Sequence, residues 1–318
     1  MQTAYVLVSP CKDEAKYIEK TLRSIARQTI KPVQWVIVDD GSLDDSMAIV
    51  AQYQTEMPFI KVVHRDTGAR QVGPGVIQAF NAGLAAVDIP YDFICKFDVD
   101  LDLPERYFEA MLGKMAADPR LGTFSGKPWY YNRAGTLVPE LCGDESSVGM
   151  IKFYRRSAFD AIGGFVVENG WDMFDGHLAR WRGWRAGSRD EEDTRFLHLR
   201  AMGSSQKSLR HGRARHGEAQ WRIGSHPLFF AAAAANRIKE PPLVAGALWF
   251  TMGYLRAALR GTPRLGDADF TRFLRRYQLR ALRTGKREAA EWAFTERARA
   301  LAPDRVPNGA PNGAPEPT

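Results

Sequence analysis

Four groups of polar residues have the types and spacing to do chemistry together. Ser9, Pro10, Cys11, Lys12, Asp13 and Glu14 follow the apolar run YVLV, and Asp39, Asp40, Gly41 and Ser42 follow QWVIV. Asp98, Val99 and Asp100 follow FICKF, and Asp172 and Asp175 stand in GWDMFD. Each group alone has an ordinary reading, because Asp and Ser after a strand commonly cap the next helix or close a turn. Three carboxylate clusters gathered at one edge would repel one another, so a cation or a donor-rich ligand must offset that cost. Residues two apart share a face only while a strand continues, and the strand ends at this triplet, so Asp98 and Asp100 can diverge and divide the work. One can reach a divalent ion and the other a sugar hydroxyl. Mg2+ and Mn2+ favour a few carboxylates supplemented by phosphate oxygens, which suits a site completed by a diphosphate. Asp172 and Asp175, three apart on a helical run, offer a general base.

Other chemistries find little support. Cys11, Cys95 and Cys142 are far apart with no C-x-x-C pair, and there is no G-x-S-x-G elbow. No covalent nucleophile is therefore expected. His198, His211, His216 and His226 match no compact zinc-ligand spacing. Arg210, Arg213, Arg215 and Arg222 lie in a basic stretch, 204–222, that fits either a diphosphate contact or a solvated surface.

The elements that must position these groups follow from hydrophobic period. Residues 5–8, 34–38, 59–63 and 93–97 read as strands. Between the first two, residues 14–28 set Ile18, Leu22 and Ile25 on one stripe, an amphipathic helix with Asp13 as its expected cap. Residues 44–53 and 76–86 read as further crossover helices, and Pro104 opens another through Met115. Strand-helix-strand units predict an α/β fold with a mostly parallel sheet flanked by helices. In such sheets ligands bind beyond the carboxyl ends of the strands, where three of the four polar groups fall. Shorter strands are expected at 122–125 and 149–154, and a helical stripe over 172–185.

The chain has 318 residues, 45% of them hydrophobic and 25% charged. That excludes a disordered or disulfide-stapled class and suggests about two domains at ~150 residues each. Lys and Arg number 44 against 37 Asp and Glu, a net charge of +7. Twelve Lys/Arg against five Asp/Glu in residues 256–299 account for that whole excess. No basic-aromatic recognition motif accompanies it, so nucleic acid is not an expected partner. The first residues lack an export signal, and a cytoplasmic location is expected.

Residues 4 to about 185 resemble the family-2 glycosyltransferases with the GT-A fold. The resemblance rests on VLVSPCKDEAKYIEKTLRSIARQT, VIVDDGSLDDS, the triplet DVD, and GMIKFYRRSAFDAIGGF followed by an acidic motif. It implies an inverting, metal-dependent sugar transferase of the bacterial polysaccharide or glycoconjugate type. By resemblance, Ser9, Pro10, Cys11, Glu14, Asp39 and Asp40 bind the nucleoside of a nucleoside-diphosphate sugar. Arg70, in the loop 68–75, would contact phosphate or sugar. Asp98 and Val99 would meet ribose or the sugar, and Asp100 would hold Mg2+ or Mn2+. The family's base is usually an Asp in an E-D pair, which here becomes Gly170, Trp171, Asp172. Asp172 is therefore the expected base with Asp175 in contention, and Trp171 is either a sugar platform or a core anchor.

The resemblance implies a lipid-linked or polysaccharide acceptor, with direct transfer to a polyprenyl phosphate as the alternative. Competing readings from other classes are a catalytically dead scaffold and a basic nucleic-acid binder. The expected organisation is a GT-A domain over 1–225, an apolar and amphipathic helical extension over 226–302, and a disordered Pro/Gly tail over 303–318. Residues 243–259 approach the length of a membrane span but contain Gly246, Gly253 and Arg256, which favours a packed or interfacial helix. Residues 267–283 set Phe270, Phe273, Leu274 and Tyr277 against arginines. Peripheral membrane contact at the inner face of the cytoplasmic membrane is therefore expected through 228–283.

Overall fold

The computed structural model describes residues 3–65, 73–200, 209–240 and 242–301. Arg70 and the tail lie outside the described residues. The four apolar runs form β1 (Tyr5–Cys11), β2 (Gln34–Asp39), β3 (Ile60–His64) and β4 (Phe93–Phe97). They lie side by side in the order β4-β1-β2-β3, all parallel. Parallel neighbours need long crossovers, and these are α1 (Ala15–Ala26), α2 (Ser46–Gln54) and α3 (Pro74–Ala85). Beyond β4 the sheet adds β9 (Ile151–Arg155), antiparallel to β4 and to β6 (Leu121–Ser125), and then β10 (Arg185–Ser188). The result is a seven-stranded, mostly parallel sheet.

Alternation along β1 divides the core. Tyr5 and Leu7 join Ile18, Leu22, Trp35 and Phe108 on one face, whereas Val6 and Val8 join Ile77, Phe80 and Tyr154 on the other. Phe108 belongs to α4 (Tyr107–Ala117), which begins three residues after the Pro104 start expected from sequence. A second sheet escaped the sequence reading because strands of two to four residues carry no measurable period. It orders β5 (Leu101–Asp102), β11 (Phe196–His198), β7 (Pro128–Tyr131) and β8 (Leu137–Pro139).

The expected Asp13 cap of α1 is corrected. Asp13 sits at φ +53° with its carboxylate accepting from the Leu43 amide at 2.8 Å. The amides that open α1 are satisfied from the start of the next crossover instead. Glu14 N donates to Ser46 Oγ at 2.8 Å and Ala15 N to Asp44 Oδ2 at 2.9 Å. A side chain committed to a neighbouring turn cannot also cap its own helix.

After β9 come α5 (Arg156–Ala161), α6 (Trp171–Trp181) and five further helices. These are α7 (Leu209–Arg222), α8 (Pro227–Arg237), α9 (Leu243–Leu259), α10 (Ala268–Thr284) and α11 (Lys286–Ala300). α9 crosses α7 where glycines permit backbone contact. A Cβ on Gly217 would lie 1.8 Å from Phe250 O, and one on Gly253 would lie 1.9 Å from Ala214 O. No helix among the described residues is long and apolar enough to cross a membrane. α10 turns its apolar face inward, setting Phe270 edge-on to Phe174 and Phe273 at a tilt to Trp181 of α6, each at 5.1 Å between ring centres. That stripe, expected to face a membrane, is used in packing.

Candidate active site

The carboxyl ends of β4, β1 and β2 are adjacent, so the three strand-end clusters meet. β1 runs three residues further than its apolar core, because its register with β2 continues to Cys11 opposite Asp39. Ser9 thereby lies inside the sheet, fully buried and accepting from Trp35 Nε1 at 2.8 Å, and not in a loop beyond it. Pro10 is tolerated because pairing with β4 stops at Val8, so its missing N–H faces no partner there. Lys12 donates to the carbonyls of Asp40 and Gly41 at 2.8 and 2.9 Å and ties the two strand ends together. Asp39 accepts from Ser42 N at 2.8 Å and pairs with His64 Nδ1 at 3.1 Å. Burial would raise its carboxyl, but these partners win and hold it below the usual range. Asp40 stands 3.3 Å from Arg65.

At the end of β4 the two aspartates diverge. Asp98 pairs with the buried Lys96 at 2.5 Å, and Lys96 also donates to Gly149 O at 2.9 Å. Asp100, 2% exposed, receives Arg200 Nε on Oδ2 at 2.5 Å, and Arg200 reaches on to Glu14 at 2.8 Å. His198 Nε2 lies 3.4 Å from the same Asp100 oxygen, while its Nδ1 sits 3.1 Å from Glu140. Loss of water opposes ionisation of both aspartates. At Asp98 it wins and pushes the carboxyl up, whereas His198 and Arg200 hold Asp100 below its ordinary value. Burial would likewise lower His198, but Asp100 and Glu140 prevail and push it up to about 9.

Asp172 and Asp175 separate sharply. Asp175 is 2% exposed and bound by Lys152 at 2.9 Å and Tyr154 OH at 2.5 Å, both on β9. Burial pushes its carboxyl up against those partners. Asp172, in the first turn of α6, is exposed, and its side chain accepts no hydrogen bond from a described residue. It reaches the acidic cluster through Gly149, whose Cβ would lie 3.1 Å from Asp172 Oδ2. Burial lowers both Arg215 and His216 on α7, and the Asp172 charge opposes it at each. Trp171 is 7% exposed, packed on Phe165 at 5.0 Å beneath the Lys96 and Lys152 ammonium groups. Of its two readings, the ring fulfils that of core anchor.

Residues 6–162 match the sequence profile of Glycosyl transferase family 2. Over that stretch the chain is a family-2 glycosyltransferase. Among curated relatives, the poly-beta-1,6-N-acetyl-D-glucosamine synthase of Staphylococcus aureus is 25% identical over 127 residues, 40% of this chain and 29% of that protein. An uncharacterized glycosyltransferase of Nostoc sp. is 38% identical over 73 residues, 23% of this chain and 21% of that protein. The chain thus spans under a third of the length of these relatives. Among solved structures, the mannosyltransferase PcManGT from Pyrobaculum calidifontis, in complex with GDP-Man and Mn2+, superposes with a TM-score of 0.51 at 19% identity. It covers 96% of this chain and 88% of its own. S. aureus TarS 1-349, in complex with UDP-GlcNAc, gives 0.52 at 16% identity over 94% and 91%. The fold of this family-2 glycosyltransferase is GT-A.

Among the described residues no three His, Cys, Asp or Glu side chains converge as a metal site. Two potential ligands are nevertheless set for a cation. Asp100 Oδ1 is buried without a hydrogen-bond partner, and His198 is oriented from behind by Glu140, the usual carboxylate support of a ligating imidazole. With phosphate oxygens completing the shell, this donor set fits Mg2+ or Mn2+. Sequence reasoning missed Glu140, His198 and Arg200 because it tested the histidines against one another. The available signal was a polar pair closing the short run FLHLR, a further strand end.

Proposed function

We propose that this chain transfers a sugar from a nucleoside-diphosphate sugar to a hydroxyl of a lipid-linked or polysaccharide acceptor, inverting the anomeric centre. One observation carries the reading. Glu14 and Asp100 are buried and Asp98 half-buried at neighbouring strand ends, and the Lys96 that binds Asp98 also holds the carbonyl of Gly149, the glycine against which the exposed, uncommitted Asp172 carboxylate packs. Asp39 and Asp40 hold the nucleoside and Asp98 a ribose or sugar hydroxyl. Asp100 and His198 would hold Mg2+ or Mn2+, which when bound supplies positive charge against the departing diphosphate. Arg200 supplies more, and Arg70 is retained as a phosphate contact from sequence alone. Asp172 takes the acceptor proton while the acceptor oxygen attacks the anomeric carbon and the nucleoside diphosphate leaves from the opposite side. Lys152 and Tyr154 hold Asp175 as the anchor beneath this helix end.

Complexes of the fold neighbours with GDP-Man or UDP-GlcNAc support the donor class, and the name of the synthase relative supports a glycan acceptor. The decisive experiment is thermal stabilisation by UDP-, GDP- and dTDP-sugars with Mn2+. One of them should raise Tm, by about 2.7 kcal/mol of stability at a hundredfold excess over Kd. If none does, the donor-site reading fails. A second reading, transfer to a polyprenyl phosphate, draws on the positive charge of Arg215 beside Asp172. A phosphate acceptor needs no deprotonation, so Asp172→Asn would leave that reaction near normal.

A further inference from the structure

α9 carries an apolar row that no described residue covers. Val244, Leu248, Met252, Leu255 and Leu259 are each more than half exposed. At helical spacing they fall within an arc of about 80° and extend over ~22 Å. The helix is not loose. Gly246, Ala247, Phe250, Gly253, Tyr254 and Ala257 are buried, with Gly253 against the α7 backbone, so the exposed row is held outward. α8 has a shorter exposed series, Leu228, Ala231 and Ala235, continued by Ile238 just beyond its end. A contiguous apolar surface of this kind, unlike scattered exposed leucines, marks an interaction site.

Charge identifies the occupant. Residues 227–260 contain Arg237, Lys239, Arg256 and Arg260 against a single acidic residue, Glu240, which pairs with Arg213 at 2.9 Å. Arg256 and Arg260 are exposed, sit at one edge of the row by helical spacing, and form no ion pair with a described residue. A second copy of the chain has no acidic residue on α9 to meet them. An anionic bilayer offers both acyl chains for the row and phosphates for its edge. At 17 residues, with Arg256 in its last turn, α9 is not long and apolar enough to cross, so it must lie along the surface.

We propose that α9 docks on an anionic membrane surface, with the row from Val244 to Leu259 in the acyl boundary and Arg256 and Arg260 on lipid phosphates. This narrows the contact expected over 228–283, because the apolar face of α10 is consumed in packing. The inference does not depend on the donor site.

Flotation of the full chain with phosphatidylcholine–phosphatidylglycerol vesicles, against phosphatidylcholine alone, tests it. The chain should float with the anionic vesicles. Leu248→Glu and Met252→Glu should each lower partitioning by about tenfold or more, since each replaces an apolar side chain that would enter the acyl boundary with a charge. Arg256→Gln with Arg260→Gln should abolish the preference for anionic lipid. Both apolar sites are exposed, so an unchanged Tm should accompany these losses. Wild-type chain that stays with the unbound fraction overturns the proposal. So do glutamate variants that float equally, or a lipid-free dimer that Leu248→Glu splits. Sugar-nucleotide affinity on the same samples separates this result from a failure of the transferase reading.

Discussion

Asp172 and Asp175 are three residues apart on one helix, and their surroundings predict opposite phenotypes. Asp175 compensates Lys152, which is 0% exposed, and accepts from the buried Tyr154 hydroxyl. Asp175→Asn removes the charge and strands a buried ammonium. Breaking such a pair costs about 3–5 kcal/mol, a large part of a stability of roughly 5–15 kcal/mol. A fall in Tm on the order of 10 °C should follow. Asp172 is exposed and unbound, so Asp172→Asn should change stability by no more than about 0.5 kcal/mol. As general base, however, its loss should slow turnover by about 10²–10⁴-fold. The assay pairs a melting curve with sugar-nucleotide turnover in the presence of acceptor, and with donor affinity to separate binding from chemistry. An Asp172→Asn protein with near wild-type turnover would refute the assignment. So would a well-folded Asp175→Asn protein that binds donor normally and is inactive, because the base would then be Asp175.

Three further outcomes follow from the geometry. Glu140→Gln should weaken Mn2+ binding by about 10–100-fold, read by calorimetric titration, since Glu140 orients the imidazole and increases its basicity. Arg200→Gln frees Asp100 and Glu14 of their bound guanidinium and should tighten Mn2+ binding to the donor-free chain; weaker binding would contradict the competition drawn here. Truncation after Gly261, which removes α10 and α11, should unfold the region around α6 by exposing Phe174 and Trp181. Circular dichroism and loss of Tm would report this, and an intact melt would show that α6 stands without them.

The parallel half of the fold was legible because its strands are buried, β-branched runs set between helices of clear 3.6 period. YVLV and FICKF announced β1 and β4, and Asp98 marked where β4 ends, whereas β1 runs on past its apolar run to Cys11. The second sheet was not legible, since β5 and β11 are two and three residues long. That sheet carries His198 and Arg200 to Asp100, so half of the charged cluster was invisible. Ser9 shows a different limit. Its place in the sheet depends on how far β2 keeps register, which is a property of two strands and not of one. Amphipathicity misled at α10, where the period was right but the partner was α6. An apolar face states that something covers it, not what.

Arg200 and Glu14 are 186 residues apart in sequence and 2.8 Å apart in space. That separation also has a meaning in time. At about 5–20 residues per second, synthesis would leave Glu14 without its arginine for roughly 10–40 s and Asp100 for about half as long. The parallel sheet around them can begin to form with Lys96 already on Asp98, but the guanidinium that joins Glu14 to Asp100 arrives only after β10, the last strand of that sheet. A nascent chain halted before residue 200 should remain open at the strand ends where the finished protein is tightest.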